Sequence, residues 1–467
     1  MDTEQKDLAG IQTQVGSNAE GIAPRSEYGE RRLIIMTRIP EAGRVKTRLI
    51  PAIGAEEAAE LHTRLLQRTL ITAEEHSRTS HVNVEVRHAG DAGTPSLFAD
   101  HTFVSIRRPQ QGKDLGKRLS SAVADAIHER AQDIVVIGTD CPDLSPAVLD
   151  LAWQKLVQVD VVFGPAKDGG YYLIGLKRKC NGLFHDIDWG TEHVLAQSQQ
   201  RCQQLGLSYA LLPILSDVDL PEDLVTCRRI GASLEKCLPQ INFGMLSVVI
   251  PTMNEAHNLK SAVAPLLNES NCEVIIVDGG STDGTPELAR ELGCRVVQGT
   301  RGRGRQLNAG AALARGEFLL FLHADTRLPT GFRQELNETL ASGAIAGAFR
   351  FEIDSPGWLY RCIEWGTNLR SRLLQLPYGD QGLFMRASDF FRLNGYRNWP
   401  LMEDFEFSRR LKSGGNVAIT TSTAPTSAKR WKRFGVIRNT WANQICIMLY
   451  LCGFSPESIA AYYSRRS

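Results

Sequence analysis

The sequence lacks a charge excess, a metal-type cysteine spacing and a long apolar run, and each absence removes a class of function. Lysine plus arginine (53) nearly equals aspartate plus glutamate (52), leaving a formal net charge of +1. No global field draws the chain to nucleic acid, so charge that serves binding must be local. The ten cysteines are scattered, with no CxxC pair, which excludes the usual structural-zinc and redox-dithiol spacings and suits reduced cysteines in a cytoplasmic protein. The longest apolar run, 445–454 (ICIMLYLCGF), falls short of the ~18 residues that a spanning helix needs. It suits a buried core helix or a helix lying on a membrane surface. The expected location is therefore cytoplasmic, with peripheral membrane contact as the alternative. Residues 1–30 carry early charges and no apolar segment; they match neither a secretory signal nor a membrane anchor and are expected to form a disordered tail.

What is present is an ordinary globular composition, 43% hydrophobic and 22% charged, which disposes of collagen-like, mucin-like and wholly disordered readings. Short aliphatic runs at 33–36 (LIIM), 134–137 (IVVI), 160–163 (DVVF) and 171–174 (YYLI) predict buried strands. Helical patterns at 55–71 and 145–157 separate them. A second series follows at 246–250 (LSVVI), 273–277 (EVIIV) and 318–322 (FLLFL). The alternation predicts an α/β protein with two tandem domains, each a mainly parallel sheet flanked by helices. In both series an apolar strand runs into an acid, 134–140 (IVVIGTD) and 318–325 (FLLFLHAD). A carboxylate just past the C-terminal end of a parallel strand lies where open α/β sheets bind ligands. The expected division is 1–30, 31–240 and 241–467, with a short linker between the two domains.

In the second domain, 277–285 (VDGGSTDGT) places Asp278 at a strand end, with glycines and Asp283 before a helix. Glycines permit close backbone approach, and the carboxylates can accept hydrogen bonds from a nucleoside. A strand-to-helix turn with a capping aspartate is the plainer alternative. Glu255 follows the first strand, and 301–305 (RGRGR) brings Arg301, Arg303 and Arg305 on a glycine-rich loop that suits a diphosphate or a merely solvated surface. His323 and Asp325 point to one side if the strand geometry continues, and a carboxylate there can hold Mg²⁺ or Mn²⁺. At 401–407 (LMEDFEF), Glu403 and Asp404 fall in a helix's first turn, where the ionised form of a general base is favoured. Asp380 in YGDQ and the cations of 429–433 (KRWKR) complete the set.

From about residue 246 onward these segments (SVVIPTMNE, VDGGSTDGT, FLHADT, YGDQG, MEDFE and KRW) resemble family 2 glycosyltransferases of the GT-A fold. The subgroup named for arsenosugar biosynthesis, itself similar to transferases that glycosylate carotenoid acids, is the nearest match. The resemblance implies that Glu255, Asp278 and Asp283 handle the nucleoside. It gives the metal and diphosphate to Asp325, and makes Asp404 the base of an inverting displacement from a nucleotide-sugar donor to a small acceptor. His323 stands where the family usually has the first acid of its DxD. Ser427 stands where processive members carry the glutamine of QxxRW, which implies transfer of single sugars.

In the first domain, 43–49 (GRVKTRL) sets Arg44, Lys46 and Arg48 between a strand and a helix, a loop able to hold phosphates. Asp140 of GTDCPD and Asp219 of SDVDLPED can converge on one Mg²⁺, and DGGYY with Asp168 looks like a binding loop. With DGGYYLIG and DVDLPEDL, these segments make residues 31–224 resemble unassigned GT-A-like proteins also linked by name to arsenosugar biosynthesis. Their opening is similar to guanylyltransferases of cofactor F420 synthesis. The implied role is to bind or make the nucleotide sugar, with an NTP as the further ligand. The alternatives are a bifunctional nucleotidyltransferase/glycosyltransferase, two transferases in sequence, or a non-catalytic binding module.

Overall fold

The computed structural model describes residues 30–90, 98, 101–177 and 182–464. Residues 1–29 of the expected tail (1–30) and Cys180 lie outside the described residues, as do the side chains of Arg430 and Arg433.

The first seven strands are β1 (Arg31–Arg38), β2 (Asn83–Ala89), β3 (Val104–Pro109), β4 (Asp133–Ile137), β5 (Val161–Pro165), β6 (Tyr171–Lys177) and β7 (Tyr209–Leu211). They form one sheet in the order β3-β2-β1-β4-β6-β5-β7. The next seven are β8 (Asn242–Thr252), β9 (Cys272–Asp278), β10 (Arg295–Gln298), β11 (Gly316–Phe321), β12 (Ala346–Asp354), β13 (Leu383–Arg386) and β14 (Val417–Ser427). Their order, β10-β9-β8-β11-β13-β12-β14, repeats the first with seven added to every strand. The directions repeat too: β4 meets β6 antiparallel as β11 meets β13, whereas β1 and β8 have parallel neighbours on both sides. The two halves are thus tandem copies of one fold.

The central strands read as continuous aliphatic runs because both of their faces are covered. Leu33, Ile34 and Ile35 of β1 are fully buried, as are Val248, Val249 and Ile250 of β8. The predicted helix at 55–71 is longer in the structure, Ala55–Ser80, and turns Leu61, Leu65, Leu66 and Leu70 inward at helical spacing.

The halves are not beads on a short linker. One core cluster contains Leu49, Leu61 and Leu65 of the first half together with Val249, Ile275 and Leu307 of the second. The segment read as one helix near 222–237 is broken at Gly231 into helices Leu224–Ile230 and Ala232–Glu235. The first of these packs on helix Arg303–Leu313 of the second half. From it, buried Arg228 donates to the carbonyls of Ala312 (3.1 Å) and Ala314 (3.2 Å), and Arg229 holds Asp143 through two bonds of 2.6 and 2.7 Å while reaching Asn394.

Candidate functional site

A cavity of about 440 Å³ opens beyond the C-terminal ends of the second sheet's parallel strands, lined by Arg303, His323, Asp325, Asp380, Asp404 and Trp431 among others. Asp404 lies in the first turn of helix Glu403–Gly414, with its side chain 12% exposed. Its Oδ2 accepts from the Gly379 N–H (3.3 Å) and pairs with Arg303 at 2.9 Å, while Oδ1 is buried with no hydrogen-bond partner. Burial pushes the carboxyl up to about 6; Arg303 opposes the rise, and the nearby Glu403 and Asp380 reinforce it. Gly379 is wedged in place: a Cβ there would lie 2.8 Å from both Asp404 Oδ2 and His323 Nε2. The glycine therefore lets the imidazole and the carboxylate face one space. Half-buried Asp325 meets the Thr426 hydroxyl at 3.5 Å, and its carbonyl accepts from Ser427 N–H. The end of β14 thereby fixes the acid loop.

The basic segment 301–305 departs from expectation. It is not a free loop, because helix Arg303–Leu313 begins inside it. Arg303 is held by Glu403 (2.5 Å) as well as Asp404, so two carboxylates fix its guanidinium at the cavity wall. Arg305 sits near Glu222 of the first half, whose acidity it raises against the larger effect of burial.

The nucleoside-type acids also hold protein groups. Asp278 is 1% exposed; its Oδ2 accepts from Gly280 and Ser281 N–H, each at 2.9 Å. Asp283 uses Oδ1 on the Thr285 N–H (3.1 Å) and Oδ2 on the Ala256 N–H (3.1 Å). It thus caps the starts of two helices, which is the plainer alternative raised above. Glu255 accepts from Asn258 Nδ2 (2.7 Å), and burial foremost, then Asp325, pushes its carboxyl up. Lys429 donates to Asn258 Oδ1 (2.8 Å), joining the basic segment, which forms a short helix, to the same edge.

The first half has the larger cavity, about 860 Å³, whose lining includes Arg48, Lys113, Arg118, Asp140, Asp168 and Asp219. Here Lys46 stands between the two acids expected to converge on a metal. Lys46, 3% exposed, lies 2.5 Å from Asp140 and 2.9 Å from Asp219 and also donates to the Val218 carbonyl (2.7 Å). The two carboxylates raise its pKa against the cost of burial. Asp140 and Asp219 therefore already share a fixed cation, which does not fit a Mg²⁺ on the same two oxygens, and Lys46 is not a mobile phosphate hook. Arg44 is exposed and pairs with Glu41, whereas exposed Arg48 lines the cavity. Asp168 accepts from the Gly170 N–H (2.8 Å). Beside them Asp217 is pushed up to about 7 by burial first, then by Asp168, Asp223 and Asp219.

Among the described residues no three His, Cys, Asp or Glu side chains form a ready cage for a metal. None of the nine described cysteines is in a disulfide. Sequence reasoning missed Asn443, Ile447 and Tyr463, which wall the second cavity from the C-terminal helices. Of these, only Ile447 falls in the apolar run 445–454 that the sequence singled out.

A strand-end cavity with opposed acids on a mostly parallel sheet is the place where open α/β folds bind ligands, and the fold alone does not say which. Comparison with known proteins makes this specific. The description "Glycosyl transferase family 2" matches residues 247–394, and "Uncharacterized protein conserved in bacteria (DUF2064)" matches 72–191. The succinoglycan biosynthesis protein ExoA of Rhizobium meliloti is 37% identical over 230 residues, covering 42% of this chain and 69% of that protein. A PGL/p-HBAD biosynthesis glycosyltransferase of Mycobacterium bovis is 29% identical over 215 residues, covering 42% and 80%. Among solved structures, the mannosyltransferase PcManGT of Pyrobaculum calidifontis, in complex with GDP-Man and Mn²⁺, aligns at 20% identity over 48% of this chain and 76% of its own, with a TM-score of 0.33. The chain belongs to glycosyl transferase family 2 through its second half, fused behind a DUF2064 domain.

Proposed function

We propose that the second half, from about residue 241, transfers a single sugar with inversion from a nucleotide-sugar donor to a small acceptor bearing a hydroxyl or carboxyl group. The observation that carries this reading is the Asp404 carboxylate: it lines the cavity, is buried and raised to about 6, and its Oδ1 has no hydrogen-bond partner. A base of that strength is ionised at neutral pH yet more basic than a solvated aspartate, which suits taking the acceptor's proton as the new bond forms. Arg303 holds the other oxygen and so orients the carboxylate. Asp325, with His323 beside it, offers a partial donor set for Mg²⁺ or Mn²⁺, the diphosphate supplying further oxygens. A divalent cation bound there supplies charge stabilisation for the departing nucleoside diphosphate. Glu255 and Asp278 sit at the ends of the neighbouring strands, where the nucleoside would lie.

For the first half, up to about residue 240, we propose nucleotide or nucleotide-sugar binding, with Arg48, Lys113 and Arg118 facing the phosphates across the large cavity. A panel of nucleotide sugars, read by released nucleoside diphosphate with and without Mn²⁺, tests the transferase. Pyrophosphate release from an NTP would instead favour the bifunctional alternative. No binding of any NTP or nucleotide sugar by the first half overturns its assignment.

A further inference from the structure

Two touching helices, Trp358–Leu374 and Val436–Leu451, carry bare apolar side chains next to the second cavity. On the first, Trp358 is 73% exposed, Trp365 70% and Leu373 69%, with Leu369 between them. Their spacing of seven, four and four residues puts them on one face. On the second, Trp441, Met448 and Leu451 are 64, 60 and 62% exposed, again at helical spacing. Isolated apolar residues are normal on a surface, but two stripes with three bare tryptophans mark an interaction face.

The charge around them is mainly positive, with Asp354 and Glu457 as the exposed acids at the margins. Residues 429–454 contain Lys429, Arg430, Lys432, Arg433 and Arg438 and no acid. The single acid of the first helix, Glu364, is buried against the Ile353 N–H and Arg361. A second copy of the chain fits poorly, because a two-fold interface would set this positive rim against itself. Tryptophan favours the level of lipid headgroups, and each cation near an anionic leaflet contributes about 1 kcal/mol. No helix among the described residues is long and apolar enough to cross a membrane, so these helices would lie in the interface plane.

We propose that this face docks the protein on an anionic lipid surface. The cavity lies on the other side of the same element: Asn443, Cys446 and Ile447 of helix Val436–Leu451 line the space that holds Asp404. An amphiphilic acceptor embedded in that surface then reaches the cavity along the helix. This last step rests on the transferase reading above; release of nucleoside diphosphate measured without lipid tests that reading separately.

The test is flotation of the full chain with vesicles of phosphatidylcholine alone or mixed with phosphatidylglycerol, with acyl-brominated lipid as a tryptophan quencher. The expected result is salt-sensitive flotation with the anionic vesicles only, with quenched fluorescence. Combining Trp358→Ser, Trp365→Ser and Trp441→Ser should abolish both effects, while circular dichroism and nucleotide-sugar binding are retained. The proposal is overturned if the wild type stays unbound, if the triple variant floats equally well, or if the three changes merely convert a lipid-indifferent dimer into monomers.

Discussion

Asp404 stands between opposed influences, and their balance makes it useful. Burial and the neighbouring Glu403 and Asp380 raise its pKa, Arg303 lowers it, and the outcome is about 6. Transfer should therefore decline as pH falls through about 6, because protonation removes the base. A pH–rate profile flat from 5 to 8 would count against the assignment. Gly379→Ala should impair turnover at unchanged fold, since its methyl would enter the 2.8 Å gap shared by His323 and Asp404; steady-state rates with circular dichroism check this. In the first half, Lys46→Met leaves Asp140 and Asp219 facing each other uncompensated. The expected loss is about 1–3 kcal/mol, measurable by urea unfolding. The residue types at these sites were legible in the sequence, because acids after aliphatic strands are conspicuous. Their partners were not. Nothing local in the sequence says that Lys46 reaches Asp219, or that Arg303 turns toward residue 404, because both contacts cross loops of a hundred residues or more.

At the scale of elements, the aliphatic strands β1, β4, β8, β9 and β11 were readable, since strands buried on both faces become continuous apolar runs. The outer strands β2, β3, β10 and β14 were not, because they are shorter in apolar residues or interrupted by polar ones. β2 shows why. Its sequence NVEVRHA looks half-solvated, yet Glu85 is fully buried, accepting from Arg32 at 2.9 Å and from Arg87, which also reaches Asp125 at 2.8 Å. Removing one partner of such a network leaves an uncompensated buried charge. Glu85→Gln should thus cost about 3–5 kcal/mol, seen as a lowered denaturation midpoint. An unchanged midpoint would mean that water reaches these arginines. Helix Arg303–Leu313 was misread as a loop at its start because glycines at 302 and 304 suggest flexibility. In fact Gly304 is needed for close approach, as a Cβ there would lie 2.6 Å from the Arg397 carbonyl.

Over the whole molecule, the duplication was visible as two series of strands, whereas the shared core was not. Arg228 and helix Leu224–Ile230 tie the first half to the back of the helix that positions Arg303. Folding of the two halves should consequently be coupled. Calorimetry is expected to show one transition for the intact chain, and Arg228→Ala should split or broaden it by removing two hydrogen bonds across the junction and two that hold the arginine from its own half. Near-neutral net charge also reads differently at this scale. The carboxylates at 325 and 404 face one cavity, while the cations of 429–438 gather on the adjoining helices.

Whether Asp404 is the base of a sugar transfer is tested most directly by single-turnover release of nucleoside diphosphate, comparing the wild type with Asp404→Asn on the same donor and acceptor with Mn²⁺. Removal of the base predicts a rate lower by about 10²–10⁴-fold at undiminished donor binding. A variant that turns over within a few-fold of the wild type would contradict the account.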